Sequence, residues 1–351
     1  MSQTIVGIGI SGMGRIGRLL VRRMFELHKD GESLPLKAIN STYPAETIAH
    51  LLKYDSVHGK GNFDISVEND DLIINGVKIK MNYERDPANI PWASQGVNIV
   101  IDATGKFNHR EGSSLHLQGG AEKVIISAPG KNMDLTVVMG VNDQDYNPER
   151  HHLLSTASCT TNCVAPILHV LDQAIGVQEG WVTTVHAFTN DQKHLDNPHK
   201  DLRRARACTQ SIIPTTTGIG KALADILPEL SRSIQGTSLR VPVPDVSVCD
   251  MTLTFKQQVT VEQLKEAFLQ SNIMGTYIDV SDEPLVSSDY IGNDFSAIVD
   301  GLSLAAFGNQ AKILAWYDNE WGYACRVVDM AHLVVQKSTV QIESKQYSYS
   351  E

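Results

Sequence analysis

The feature that most constrains this chain is a glycine-rich turn near its amino terminus. An apolar, strand-like run at residues 5–10 leads into Gly12-Met13-Gly14-Arg15-Ile16-Gly17, and residues 15–27 then follow a helical pattern. In such a unit the first glycine allows the tight turn, the second lets the backbone approach a pyrophosphate, and the third lets helix and strand pack closely. The turn predicts a dinucleotide-binding site; the alternative is the same turn without a ligand.

Short apolar runs alternate with helical patterns through the first half of the chain. Runs at Leu36–Asn40, 97–102 and 123–127 are separated by segments of helical character, and strands that alternate with helices form a parallel sheet. From Trp181 onward the runs are longer and β-rich. The pattern predicts an α/β protein, with a Rossmann dinucleotide-binding domain followed by an α+β domain that has a mixed or antiparallel sheet.

Charge and cysteine content narrow the class of protein. The 351 residues carry 30 basic and 40 acidic side chains, a formal net charge of −10, which disfavours a nucleic-acid or anionic-membrane surface. No secretion signal precedes the first strand, and no apolar run reaches the roughly 20 residues of a membrane helix. Five cysteines form an odd, sparse set that is unlike a disulfide framework. We expect a soluble, cytoplasmic protein that acts on small molecules.

The residue after the second strand bears on which dinucleotide is bound. A fold that prefers NAD usually ends this strand with Asp or Glu, which accepts a hydrogen bond from the ribose 2′-hydroxyl. Here Leu36–Asn40 is followed by Ser41. A hydroxyl can donate to a 2′-phosphate, whereas a carboxylate would repel one, so Ser41 favours NADP. The alternative is a serine selected for the turn.

A cysteine stands where a helical pattern begins, in the sequence STASCTTNC at residues 155–163. The N–H groups and the dipole of a helix start stabilise a thiolate, so we expect a lowered thiol pKa and a nucleophilic role for Cys159. The same amides, with the hydroxyls of Ser158 and Thr160, offer a site for an oxyanion or a phosphate. The alternative is a cysteine buried as a small apolar residue.

His186 is the best candidate for a base, because it ends an apolar strand and enters a polar loop; a structural histidine is the alternative. No metal site is predicted, since no second Cys/His pair with suitable spacing accompanies Cys159 and Cys163. The basic stretch 199–206 includes Asp201, which favours a surface loop with paired charges, or one facing a phosphate at a subunit interface, over a nucleic-acid site.

Six segments together, 12–18, 157–163, 186–192, 201–206, 213–218 and 316–323, resemble phosphorylating glyceraldehyde-3-phosphate dehydrogenase, and the resemblance extends over nearly the whole chain. It implies that Cys159 is the nucleophile and His186 its base. It also implies that Thr189 and Arg240 bind the substrate phosphate. The other implied contacts are Ser158, Thr160, Thr217 and Gly218 for inorganic phosphate, and Gly12, Gly14, Arg15, Ile16, Gly17, Ser41, Arg85, Thr104, Ser127, Asn197, Asn319 and Tyr323 for the NADP or NAD cofactor.

The resemblance implies a reaction and an assembly as well. The reaction is the reversible oxidative phosphorylation of D-glyceraldehyde 3-phosphate to 1,3-bisphosphoglycerate through a thioester on Cys159, and the assembly is a homotetramer. Ser11, Met13, Ser41 and Asn197 depart from the commoner residues of the family. These departures resemble the bacterial branch that prefers NADP and is associated with gluconeogenesis.

The predicted domains are a dinucleotide-binding domain at 1–158, completed by a helix at 319–336, and a catalytic domain at 159–318. The polar tail 337–351 lacks apolar periodicity, so we expect it to fray. Two other functions compete with the main prediction: an erythrose-4-phosphate dehydrogenase, which shares the cysteine, the histidine and the cofactor fold, and an RNA-binding or surface-adhesion role without catalysis.

Overall fold

The computed structural model describes residues 6–29 and 34–348, so Ile5 of the predicted first strand lies outside the described residues. Two compact units are present. The first includes the described residues up to 137, residues 144–157 and those from 324 onward; the second includes residues 138–143 and 158–323. The domain limits at 158 and 318 stay predictions.

The first unit contains a nine-stranded sheet within the described residues. Its elements are β1 (Ile8–Ser11), α1 (Arg15–Lys29), β2 (Leu36–Asn40), α2 (Ala45–Lys53), β3 (Tyr54–Asp55), β4 (Gly59–Lys60), β5 (Ile65–Glu68), β6 (Asp71–Ile74), β7 (Val77–Asn82), β8 (Ile99–Asp102), α3 (Arg110–Ser113), α4 (Leu115–Gln118), β9 (Lys123–Ile126), β10 (Leu135–Thr136) and β11 (Leu153–Ser155). The strand order is β10-β11-β9-β8-β1-β2-β7-β6-β5, and β3 pairs separately with β4.

The strands from β10 to β7 in this order are parallel, and β6 and β5 extend the edge as an antiparallel meander. Strands β1, β8 and β9 are buried at every position, as parallel strands covered on both faces are. The carboxyl ends of parallel strands lie along one edge of the sheet, which is where dinucleotide-binding folds hold their ligand. The predicted Rossmann architecture is confirmed.

The second unit contains a mixed, eight-stranded sheet within the described residues. Its elements are α5 (Cys159–Ala174), β12 (Val177–Ala187), β13 (Ile213–Thr215), α6 (Ile219–Leu223), β14 (Ile234–Val241), β15 (Ser247–Phe255), α7 (Val261–Leu269), β16 (Ile278–Ser281), β17 (Ala297–Asp300), β18 (Ala305–Phe307), β19 (Gln310–Tyr317) and the start of α8 (Trp321–Ser348). The order is β13-β14-β12-β15-β19-β17-β16, with β18 on β19. Strand β15 alternates buried with half-buried residues, so one face is packed, and α5 contacts β12, β15 and β19.

The last helix differs from its prediction. The sequence places Val327, Met330, Ala331, Val334 and Val335 on one face of this helix; the first four are buried, whereas Val335 is half-buried. Helix α8 continues past Gln336 to Ser348, so the expectation that the tail frays from residue 337 is wrong. Residues 337–348 contain neither glycine nor proline, and nothing in them stops a helix already begun. No helix in the described ranges has the length and apolar character needed to cross a membrane.

Candidate active site

The start of α5 presents Cys159. Ser158 has an extended backbone and caps the helix, because its Oγ accepts a hydrogen bond from the backbone N–H of Thr161 (3.1 Å). The residue before the cap, Ala157, has φ of +55°, a left-handed conformation that costs a side-chain-bearing residue roughly 1 kcal/mol or more. This turn puts Cys159 in the first helical position, half-buried and ahead of a buried helix.

His186 lies beside the sulfur. Its Nε2 is 3.4 Å from Sγ of Cys159, and its imidazole is buried near the end of β12. Strand β14 runs parallel to β12 with Arg240 opposite His186. Nη1 of Arg240 lies 2.7 Å from Nδ1 of His186 and donates to the carbonyl of Ala187 (2.9 Å). The strand pairing therefore brings the imidazole and the guanidinium together, and the start of α5 adds the thiol.

Burial dominates the electrostatics of this group. It raises the pKa of Cys159 to about 11, against the opposing influences of Arg240 and of hydrogen bonds with Thr160. Burial, followed by the charge of Arg240, lowers the pKa of His186 to about 3. The expected lowering of the thiol pKa is therefore wrong for this state, because the helix start stabilises a thiolate less than desolvation destabilises it. The pair is a thiol beside a neutral imidazole.

Two residues near the pair were missed by sequence reasoning. The hydroxyl of Tyr317 lies 3.0 Å from Oγ1 of Thr160, and its ring meets His186 edge-on at 6.0 Å. Arg204 is close enough to lower the pKa of both His186 and Arg240, and its Nη2 donates to Oγ1 of Thr215 (2.8 Å). The sequence shows Arg204 only as part of a basic stretch, because the folding that brings its charge to the site leaves no periodic pattern.

The remaining predicted phosphate residues lie in the same unit. Thr189 follows β12 in a turn closed by the N–H of Gln192, which donates to the Thr189 carbonyl (2.9 Å). Thr217 and Gly218 precede α6, and Gly218 is exposed. Within the described residues the Thr217 side chain makes no hydrogen bond to Cys159 or His186, so the structure does not by itself join these two residues to the pair.

The glycine-rich turn has the geometry that its sequence predicts. Gly12 has φ of +96°, and a Cβ there would lie 2.7 Å from the backbone nitrogen of Thr104. A Cβ at Gly17 would lie 1.9 Å from the carbonyl oxygen of Gly12. A Cβ at Gly14 would meet nothing within 4 Å. There is therefore no room for a side chain at Gly12 or Gly17, whereas the space beside Gly14 is open. An approaching pyrophosphate would fit this space.

Arg15 and Ile16 open α1. The Arg15 guanidinium pairs with the carboxylate of Asp55, which also accepts the N–H groups of Val57 (2.9 Å) and His58 (3.0 Å). Burial alone would raise the pKa of Asp55, but the hydrogen bond from Arg15 and those from the backbone hold it well below its usual range. The side chain of Arg15 is thus bound to Asp55. An anion at this turn would therefore meet the backbone N–H groups rather than the guanidinium.

Four predicted cofactor residues follow the carboxyl ends of neighbouring strands: Ser41 after β2, Arg85 after β7, Thr104 after β8 and Ser127 after β9. Oγ of Ser41 accepts the N–H of Tyr43 (3.2 Å), so the serine does close the turn, and its hydroxyl proton remains available to donate. Asn40 bonds to both the N–H and the carbonyl of Glu84. These two hydrogen bonds hold Glu84 at the end of β2, and exposed Arg85 is the next residue.

The other predicted cofactor residues belong to the second unit. Asn319 and Tyr323 are buried, the latter in the first turns of α8, and Oδ1 of Asn319 accepts a hydrogen bond from Ser247 (2.7 Å). Asn197 is exposed in the long loop between β12 and β13, where its N–H bonds to the carbonyl of Ala205 (2.9 Å).

Comparison with known proteins identifies the family. Residues 158–319 match the family model described as glyceraldehyde 3-phosphate dehydrogenase, C-terminal domain, and residues 6–110 match the NAD binding domain of the same family. The chain belongs to the glyceraldehyde 3-phosphate dehydrogenase family. The predicted resemblance is confirmed.

Bacterial members of the glyceraldehyde 3-phosphate dehydrogenase family are similar over almost their full length. Glyceraldehyde-3-phosphate dehydrogenase 2 of Bacillus subtilis (strain 168) is 50% identical over 335 residues, covering 95% of this chain and 97% of the relative. The dehydrogenase of Geobacillus stearothermophilus is 48% identical over 336 residues, covering 95% and 99% respectively. These relatives do not favour the erythrose-4-phosphate or the non-catalytic alternative.

Proposed function

We propose that the chain catalyses the reversible oxidation and phosphorylation of D-glyceraldehyde 3-phosphate to 1,3-bisphosphoglycerate, with a nicotinamide dinucleotide as hydride acceptor. The observation that carries the proposal is the 3.4 Å approach of Cys159 Sγ to His186 Nε2 at the start of a buried helix, with Arg240 on the other side of the imidazole. A nucleophile, a base and a cation for phosphate are what this reaction requires.

The roles of the pair follow from its protonation state. Because the thiol is protonated and the imidazole is neutral, His186 accepts the thiol proton as Sγ attacks the aldehyde carbon. The N–H groups at the start of α5 face the developing oxyanion. His186 returns this proton to the oxyanion, which gives the hemithioacetal, and takes it up again as the hydride leaves and the thioester forms. A bound nicotinamide would supply the hydride acceptor. Inorganic phosphate then displaces the Cys159 thiolate and leaves as the acyl phosphate.

The phosphate of the substrate and the inorganic phosphate would bind to two different sets of residues. Arg240 and Thr189 would hold the phosphate of the substrate, and the first turn of α5 with Thr217 and Gly218 would hold the inorganic phosphate. Arg204, whose charge already reaches His186 and Arg240, adds a second guanidinium for these anions. Guanidinium groups bind phosphate oxygens through strong, charge-assisted hydrogen bonds.

The proposal extends to cofactor preference, assembly and cellular role. Ser41, with a hydroxyl proton to donate and no carboxylate in its place, supports a preference for NADP, and Asn197 supports the same preference. The loop that carries Asn197 exposes Leu195, Leu202 and Ile212 at 76%, 81% and 66%, which supports contact with other copies in a homotetramer. A cytoplasmic enzyme working in the gluconeogenic direction is the corresponding cellular role.

The test is kcat/KM for D-glyceraldehyde 3-phosphate oxidation with NAD and with NADP, each with and without inorganic phosphate. Phosphate-dependent activity that favours NADP supports both parts of the proposal. Activity that favours NAD by about tenfold, or about 1.4 kcal/mol, removes the role of Ser41 in cofactor choice. Oxidation of erythrose 4-phosphate without activity on D-glyceraldehyde 3-phosphate would contradict the proposed substrate.

A further inference from the structure

Ser247, at the start of β15, connects two parts of the proposed site. Its Oγ accepts a hydrogen bond from the backbone N–H of Ala187 (3.1 Å) and lies 2.7 Å from Oδ1 of Asn319. The serine is buried, and within the described residues its hydroxyl proton has no other acceptor. A buried hydroxyl that only accepted bonds would leave this proton unpaired, at a cost of roughly 1–3 kcal/mol. Ser247 therefore donates to the oxygen of the Asn319 amide.

The direction of this bond decides what Asn319 can offer a ligand. With Oδ1 engaged by Ser247, the free end of the amide is Nδ2, which carries two donors. Although the residue as a whole is only 5% exposed, its Nδ2 is not fully buried and has no hydrogen-bond partner among the described residues. An accessible donor with no partner inside the protein is free to bind a ligand. An acceptor atom of a bound ligand would complete the pairing.

We propose that Ser247 is a positioning residue for the cofactor: by holding Oδ1 of Asn319, it turns Nδ2 toward the carboxamide oxygen of the bound nicotinamide. This inference rests on the proposed function, which supplies the nicotinamide. The carboxamide oxygen is an acceptor, so it matches Nδ2 and would not match Oδ1. Without Ser247 the amide can rotate, and turning Nδ2 toward the carboxamide oxygen would then cost binding free energy.

The arrangement also connects the cofactor residue to the base. The N–H of Ala187 donates to Ser247, while the carbonyl of Ala187 lies 2.7 Å from Nδ1 of His186. The backbone of Ala187 is thus held by Ser247 at its nitrogen and by the base and Arg240 at its carbonyl oxygen. Ser247 could act on either side, so the experiment must separate an effect on Asn319 from an effect on His186.

The experiment measures dissociation constants of NAD and NADP by calorimetry for the wild-type enzyme, Ser247→Ala and Ser247→Thr. Ser247→Ala is expected to weaken binding about fivefold to tenfold, the size of one net hydrogen bond, and Ser247→Thr, which keeps the hydroxyl, is expected to restore it. Ser238→Ala is the matched control, because Ser238 is a buried serine of the same sheet that accepts a bond from Thr184 (2.7 Å). It should leave cofactor affinity unchanged.

Two further measurements locate the effect. A thionicotinamide cofactor carries sulfur, a weak acceptor, in place of the carboxamide oxygen; wild type should bind it less tightly than the normal cofactor, and Ser247→Ala should show no such preference. The rate at which iodoacetamide alkylates Cys159 should be the same in wild type and Ser247→Ala. If Ser247→Ala is insoluble, Ser247→Cys replaces it, since a thiol is a weak donor of similar size.

The inference is overturned if Ser247→Ala binds the cofactor as tightly as wild type, or if Ser238→Ala weakens binding as much. It is also overturned if Ser247→Ala slows alkylation of Cys159 with cofactor affinity unchanged, because Ser247 would then act on the base. A wild-type chain that binds neither dinucleotide contradicts the proposed function itself, before any variant is compared.

Discussion

At the residue scale, the proposed chemistry depends on one proton that passes between half-buried Cys159 and buried His186. Burial disfavours charge on the thiol and on the imidazole alike, and Arg240 further disfavours a charged His186. In the proposed mechanism the proton therefore stays on Cys159 until the sulfur attacks. The helix start and the guanidinium would then face an anion that forms during the reaction, which is where preorganised donors are most effective.

Replacing the nucleophile tests this directly. Cys159→Ser should lower turnover by about a thousandfold or more, because a serine hydroxyl is far harder to deprotonate than a thiol and His186 is a weak base here. Cofactor affinity should be unchanged. Cys163→Ala, one helical turn away and fully buried, is the control: it removes a thiol from the same helix and should retain turnover. Comparable turnover in Cys159→Ser and wild type would contradict the thioester.

At the element scale, different glycines of the strand–turn–helix unit serve folding and binding. Gly17 is required by packing, because any Cβ there would collide with the carbonyl of Gly12. Gly14 is not required by packing, since the space beside it is open. A glycine with room for a side chain at a helix start is best explained by a ligand that occupies this space.

Substitution of the two glycines should therefore affect different properties, stability for Gly17 and cofactor affinity for Gly14. Gly17→Ala should lower the free energy of unfolding by about 1–3 kcal/mol, the usual cost of overpacking. Gly14→Ala should leave stability within about 0.5 kcal/mol of wild type and weaken NAD and NADP about tenfold or more. Urea unfolding and calorimetry measure the two effects. If Gly14→Ala binds the cofactor normally, the turn does not hold the pyrophosphate.

The ion pair between α1 and the β3–β4 hairpin predicts a pH dependence. The pKa of Asp55 is lowered in the folded state, so its ionisation stabilises the fold above the unfolded pKa of about 4 and loses this effect as pH falls toward the folded pKa. Asp55→Asn should lower the free energy of unfolding by about 2 kcal/mol at pH 7 and by progressively less below pH 4. Asp282→Asn, in an exposed pair with Lys265, should cost less than about 1 kcal/mol at either pH. An equal loss for both variants would contradict the importance of burial.

At the scale of the whole molecule, the predictable features are those encoded locally. The glycine turn, the alternation of strands and helices, and the cysteine at a helix start each follow from a few adjacent residues. The partners that complete the site do not: Arg240 reaches His186 through the pairing of β12 with β14, and Ser247 reaches Asn319 across 72 positions of sequence. Strand register decides these contacts, and a single sequence does not encode register in any short pattern.

The loop between β12 and β13 predicts how copies of the chain associate. Its surface exposes Leu195, Leu202 and Ile212, while charges such as Arg204 and Asp191 pair with each other within the loop. A loop whose charges are paired and whose apolar side chains are exposed is typical of a subunit interface. Leu202→Asp should therefore lower the mass measured by sedimentation velocity from that of the proposed tetramer toward that of a smaller species, because a carboxylate would be buried at the contact. Leu269→Asp, on an exposed leucine of α7, is the control and should keep the wild-type mass. An unchanged mass for Leu202→Asp would mean that this loop is not an interface, whatever the mass of the wild type.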